Sequence, residues 1–168
     1  MNGQIMRILL FILLVSISLT GQANEIDTSA SNTEQSTAQQ YQSLLNYYFA
    51  AARTNDTEII EQFVNAGIPI DSYNEKGYTA LMIATYHGNT STVTALLSLG
   101  ANACLEDNRG NTALMAAIFR GEFNIAKTLV SLDCDNNHQN KAGQTAEQFA
   151  QTFGQQKVLD LLSQVNKQ

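Results

Sequence analysis

Hydrophobic and polar residues divide the chain into three regimes. Ile8 to Leu19 is a nearly unbroken apolar run (ILLFILLVSISL). Residues 24–40 (NEIDTSASNTEQSTAQQ) are rich in Ser, Thr, Gln and Asn and hold one large apolar residue, Ile26. From Tyr41 onward apolar residues return at helical spacing, punctuated by glycines. The stretch GYTALMIATYHGN predicts one helix closely: Thr79 can cap it, Leu81, Met82 and Ala84 form its apolar face, and Gly88 ends it. A second helix is predicted from about Thr90 to Ser98, with Val93, Leu96 and Leu97 inward and Gly100 at its end. The polar stretch Ala101 to Arg109 reads as an extended loop or short hairpin.

This unit recurs. Gly77, Gly110 and Gly143 stand 33 residues apart, and Thr79, Thr112 and Thr145 keep the same step. So do Ala51, Ala84, Ala117 and Ala150, and Gly88, Gly121 and Gly154, with Asn55 in the first copy. Gly67 and Gly100 also align, with Asp133 in the third copy. No single unit can bury its apolar face alone, so the units must stack. The expectation is eight helices in four antiparallel pairs from about Tyr41 to Val165, in units of about 41–73, 74–106, 107–139 and 140–168. Leu81, Ala84, Val93, Leu96, Leu114, Ala117, Leu129 and Leu162 are the expected core.

These residues resemble the ankyrin repeat, whose pattern is a G-x-T-P-L-H-x-A-A helix, a Gly-led turn, a V-V-x-x-L-L helix and a G-A-D-x-N loop. The second unit supplies Gly77, Thr79, Leu81, Ala84, Gly88, Val93, Leu96-Leu97 and Gly100-Ala-Asn102. The third supplies Gly110, Thr112, Leu114, Ala117, Gly121, Ile125-Ala126 and Leu129-Val130. The resemblance covers about residues 41 to 165 and implies an all-α fold: an ankyrin-repeat solenoid of four helix-turn-helix units with connecting loops or short hairpins. Ala80 and Met82, and Ala113 and Met115, replace the pattern's Pro and His, so the usual His hydrogen bond between neighbouring loops is expected to be missing. Unit one carries Asn46 and Tyr48 in place of the Thr and Leu, and unit four carries Glu147 and Gln148 in place of the Leu and His. Polar substitutions of this kind suit end units whose outer faces meet water.

The N-terminus bears on location. Arg7, the only charge before Glu25, precedes the apolar run, and Thr20-Gly21-Gln22-Ala23 follows it, with small residues at the −3 and −1 positions of a cut after Ala23. Residues 1–23 are expected to be a cleaved signal peptide and 24–40 a flexible polar linker. The run is short for a membrane span. The expected location is periplasmic or secreted, with no membrane attachment after cleavage. The chain has 168 residues and a formal net charge of −6, which argues against nucleic acid and anionic membranes as partners. An even pair of cysteines, Cys104 and Cys134, permits one disulfide in such a compartment. Neighbouring units lie about 10 Å apart, and the pair's three-column offset either closes that gap or widens it.

Nothing points to catalysis or a cofactor. His87 and His138 are the only histidines, and no G-x-S-x-G, H-E-x-x-H or P-loop occurs. The stretch from Asp133 has His138 and Gln144 where a calcium loop needs Gly and Glu. The resemblance implies instead a protein-binding module that uses its concave face and loop tips. Carried over column by column, the contact residues are Arg53 of unit one, Glu75, Lys76, Tyr78, Tyr86 and His87 of unit two, and Asn108, Arg109, Asn111, Phe119 and Arg120 of unit three. Tyr78, Tyr86 and Phe119 have no evident core duty in the pattern. The partner is expected to be another protein, and the chain alone a monomer. Exported bacterial relatives of this kind suggest either an accessory partner of a periplasmic enzyme or an immunity protein against a toxin; a structural, self-assembling role is the alternative.

Overall fold

The computed structural model describes residues 26–165 except Asp133 and Asn136, with side chains from Ser36 onward. The expected signal segment, residues 1–23, lies outside the described residues. Eight helices follow one another: α1 (Ile26–Thr54), α2 (Thr57–Asn65), α3 (Ala80–Tyr86), α4 (Thr90–Ser98), α5 (Ala113–Arg120), α6 (Phe123–Val130), α7 (Ala146–Thr152) and α8 (Gln156–Val165). No strand forms among the described residues, only an isolated antiparallel bridge between Glu106 and Thr112.

The chain divides into compact units between Ala38 and Gln39. The expected linker is helical from Ile26. Its polar composition denies it a core, and residues 36–40 are exposed. Yet it holds neither Pro nor Gly, and its Ala, Glu and Gln favour the helical state locally.

In the second unit, Gln39 onward, the helices pair as α1/α2, α3/α4, α5/α6 and α7/α8 across turns that begin with Asn55, His87, Gly121 and Phe153. Turns this short force neighbours to run antiparallel. Like helices then stack on like: α3 on α5 and α5 on α7, with α2 on α4, α4 on α6 and α6 on α8. The threonine column starts three of the first helices. The Oγ1 atoms of Thr79, Thr112 and Thr145 accept hydrogen bonds from the N–H groups of Met82, Met115 and Gln148 at 3.3, 3.4 and 3.3 Å. Gln148 returns the bond, its Oε1 accepting from the Thr145 N–H at 2.9 Å, a reciprocal cap that explains a polar residue there. Asn46 needs no such role, because it lies inside α1, which is already helical from Ile26.

Two expectations about burial need correction. Tyr48 does not meet water as an end-unit substitution: it is fully buried and its hydroxyl donates to the Ile70 carbonyl at 2.9 Å. Burial and the nearby Asp71 carboxylate push its pKa up. Leu114, expected in the core, is only half-buried. Leu81, one repeat earlier, is buried, but the residue one repeat later is the exposed Glu147, so the fourth unit offers Leu114 no apolar neighbour in its own column. The other expected core residues, Leu81, Ala84, Val93, Leu96, Ala117, Leu129 and Leu162, are buried.

The loops repeat as faithfully as the helices. Asn74, Asp107 and Asn140, again 33 apart, each accept two backbone N–H bonds through Oδ1: from Lys76 and Tyr78, from Arg109 and Asn111, and from Ala142 and Gln144. Each turn closes on a glycine. At Gly110 (φ +77°) a Cβ would lie 2.9 Å from the Lys141 nitrogen, because the Lys141 N–H donates to the Arg109 carbonyl at 2.9 Å. Only Gly permits both that conformation and that approach.

Neighbouring loops are joined by bonds other than the family's His. His138 Nε2 donates to the Gly110 carbonyl at 2.8 Å, Asn140 Nδ2 to Asn111 Oδ1 at 2.9 Å, and Lys141 Nζ to the Asn108 carbonyl at 2.9 Å. A disulfide joins Cys104, after α4, to Cys134, after α6, with Cα atoms 5.5 Å apart. The three-column offset closes the gap between units.

Candidate functional site

The C-terminal ends of the first helices fall in register on one side of the stack. Arg53, Tyr86 and Phe119 are successive members of one column, 33 residues apart. The fourth member is Thr152, and its neighbour Phe153 supplies the next aromatic ring. Tyr86 and Phe119 lie nearly parallel with centroids 6.2 Å apart, and Phe119 meets Phe153 edge-on at 5.0 Å. Phe149 adjoins Phe153 at 5.0 Å. The result is a row of rings across three units, with Tyr86 43%, Phe119 47% and Phe153 40% exposed. The exposure of Tyr86 and Phe119 follows from helix geometry: they stand two residues after the buried Ala84 and Ala117, or about 200° around the axis.

These rings form one wall of a groove of about 530 Å³. Met82, Ile83 and Met115, all nearly buried, contribute apolar surface, and the loop tips of units two and three form the far side. Of the expected contact residues, Arg53, Lys76, Tyr78, Tyr86, His87, Arg109, Asn111 and Phe119 line this groove. Arg120 lies over the Tyr86 ring, its guanidinium carbon 4.9 Å from the centroid. Glu75 and Asn108 are exposed on loop tips outside the lining.

Two of these side chains are committed to the fold. Tyr78 was expected to have no core duty, but it is half-buried against the core, and its hydroxyl accepts a bond from Arg109 Nη2 at 3.0 Å. That bond raises the Arg109 pKa. Asn111 donates to Asp107 Oδ2 at 3.2 Å and accepts from Asn140, so its amide braces two loops. His87 stands edge-on to Tyr86 with centroids 5.5 Å apart. Its pKa is lowered, first by partial burial and then by Arg53 and Arg120.

Column-by-column reading missed the fourth unit's share, Phe149 and Phe153. Phe153 sits one position off the register of Tyr86 and Phe119, so the repeat does not point to it. It also missed Asn74 and Asp107, which line the groove and build its loops. Their 33-residue spacing was the available signal.

The family pattern for ankyrin repeats in three copies matches residues 48–140 and 105–168. The chain belongs to the ankyrin repeat family. Ankyrin repeats are generally protein–protein interaction modules without enzymatic activity. Among known relatives, the ankyrin repeat, SAM and basic leucine zipper domain-containing protein 1 of Echinops telfairi is 45% identical over 56 residues, 33% of this chain and 12% of that protein. Its counterpart from Oryctolagus cuniculus is 38% identical over 56 residues, again 33% and 12%. An ankyrin repeat protein of Pseudomonas aeruginosa is 36% identical over 52 residues, 31% of this chain and 30% of the relative. The chain thus matches less than a third of each relative's length, and the similarity speaks for the repeat alone.

Proposed function

We propose that this protein is an exported, non-enzymatic binding module that seats a partner protein in the groove between its first-helix ends and its loop tips. The observation that carries this reading is the exposed row Tyr86–Phe119–Phe153, three large rings in successive contact that no element among the described residues covers. Tyr, Phe and Arg side chains clustered at the centre of a surface are what binding hot spots use. Export is supported by Arg7 and the apolar run before Ala23, and by a disulfide, which persists in oxidising compartments such as the bacterial periplasm. Accessory binding to a periplasmic enzyme and immunity to a toxin both suit such a groove.

The test is capture of the partner from an extract of the source cells on immobilised wild type and on a Tyr86→Ala/Phe119→Ala variant. The variant should keep its thermal unfolding within a few degrees of wild type and lose the partner by at least about two orders of magnitude in affinity, as hot-spot truncations do. A folded variant that retains full binding refutes the reading. Mass spectrometry of the exported chain should begin at or near Asn24.

Self-assembly has one observation in its favour, the exposed Tyr41, Leu44 and Tyr47 on α1. Sedimentation at high concentration separates the two readings: the binding module sediments as a monomer.

A further inference from the structure

The charge around the groove runs against the charge of the chain. Arg53, Lys76 and Arg109 line it and Arg120 lies across Tyr86 at its edge, on a protein of net charge −6. Among the described residues the one ion pair within 4.0 Å joins His138 to Glu106, so none of these four cations has a carboxylate at that distance. Asp107 is the single carboxylate in the lining. Its Oδ1 accepts from the Arg109 and Asn111 N–H groups and its Oδ2 from the Asn111 amide, so it is held within its own loop, where its charge acts on Arg109. Arg53 and Arg120 also act on His87, adding to the lowering of its pKa that partial burial begins.

Apolar and cationic features are sorted within the groove. The aromatic wall runs from Tyr86 through Phe119 to Phe153. Arg53 stands one repeat before Tyr86, and Lys76 and Arg109 stand on the loop tips opposite. We infer that the occupant is an acidic, extended segment of the partner that carries a large apolar side chain. The apolar side chain packs on Phe119 and Phe153, and the segment's carboxylates face Arg53, Lys76 and Arg109. Three repeat steps of about 10 Å separate Arg53 from Phe153, a span that about nine extended residues cover. A basic segment would instead bring like charges together in a partly desolvated groove, which such surfaces select against. This inference rests on the groove being the docking surface.

The test uses fluorescein-labelled synthetic peptides of about nine residues, followed by anisotropy. One is Glu-rich with two central phenylalanines, one has Lys in place of Glu, and one has Ser in place of Phe. The first should bind, with affinity falling as NaCl is raised, and the other two should bind at least about tenfold more weakly. Arg53→Glu/Lys76→Glu, two side chains with no hydrogen bond among the described residues, should lose at least about tenfold for the first peptide. If that pair perturbs folding, Lys76→Glu alone, on its exposed loop tip, keeps the test with a smaller loss. Equal affinity for all three peptides, preference for the Lys peptide, or an unchanged affinity in a folded variant overturns the inference. So does failure of the acidic peptide to bind. In that case the docking reading still stands or falls on the Tyr86→Ala/Phe119→Ala capture experiment.

Discussion

Thr85 is fully buried on α3, and its Oγ1 has no hydrogen-bond partner among the described residues. Its column mates one repeat away, Ala52 and Ile118, are apolar and fully buried. A hydroxyl left unpaired in such a place costs about 1–3 kcal/mol. Thr85→Val keeps the shape and removes the cost, so urea unfolding should show the variant more stable by about 1 kcal/mol. A loss of stability would mean the hydroxyl has a partner. Tyr48 is the opposite case, a buried hydroxyl with a bond to the Ile70 carbonyl and a raised pKa. In the unfolded chain a tyrosine ionises from about pH 10, while folded Tyr48 keeps its proton. Above that pH the unfolded state therefore binds fewer protons than the folded state. Stability is full below pH about 10 and falls as pH rises beyond it, toward the higher folded pKa. Tyr48→Phe should lose about 1 kcal/mol at neutral pH and show a shallower decline at alkaline pH. Parallel declines in the two proteins, measured by urea unfolding across that range, would refute the linkage.

Each element depends on the next for its core. Leu96 of α4 is completely buried, while Leu114 of α5 is half-exposed although it occupies the family's leucine position. Leu96→Ala should cost about 2–5 kcal/mol, and Leu114→Ala clearly less, because less surface returns to water and the site is already partly open. Equilibrium unfolding of the two variants checks the order. The same contrast shows what the helical pattern conveys. It gives the inward face of each helix, since Val93, Leu96, Ile125 and Leu129 recur at the right spacing and are buried. It does not give the depth of burial, which depends on what the neighbouring unit places opposite.

At the scale of the whole molecule, the Cys104–Cys134 bond ties loops of successive units across 30 residues of sequence. Closing a loop of that length restricts the unfolded chain and is worth about 2–4 kcal/mol. Unfolding by urea with and without a dithiol reductant should differ by about that amount in the wild type, and Cys104→Ala/Cys134→Ala should be insensitive to reductant. Two free thiols in the unreduced, denatured protein would rule the bond out. Because repeat stability is shared between neighbours, the loss should fall mainly on the units the bond joins.

The 33-residue period determined the family, the unit boundaries and most of the core, because a stack repeats one physical problem and the chain repeats one answer in Thr79, Thr112 and Thr145 and in Ala84 and Ala117. The same period placed Arg53, Tyr86 and Phe119 on one face. Features outside the period were settled by tertiary structure. Tyr48 is buried because Phe63 of α2 and the Ile70 carbonyl of the following loop close over it. Tyr78 and Asn111 are engaged by Arg109 and Asn140 across unit boundaries. Phe153 joins the aromatic row from one position off register, and Cys104 meets Cys134 because the offset between their columns is oriented to shorten the distance between units. A periodic sequence specifies what each unit does for itself; contacts between unlike columns are decided only when the units stack.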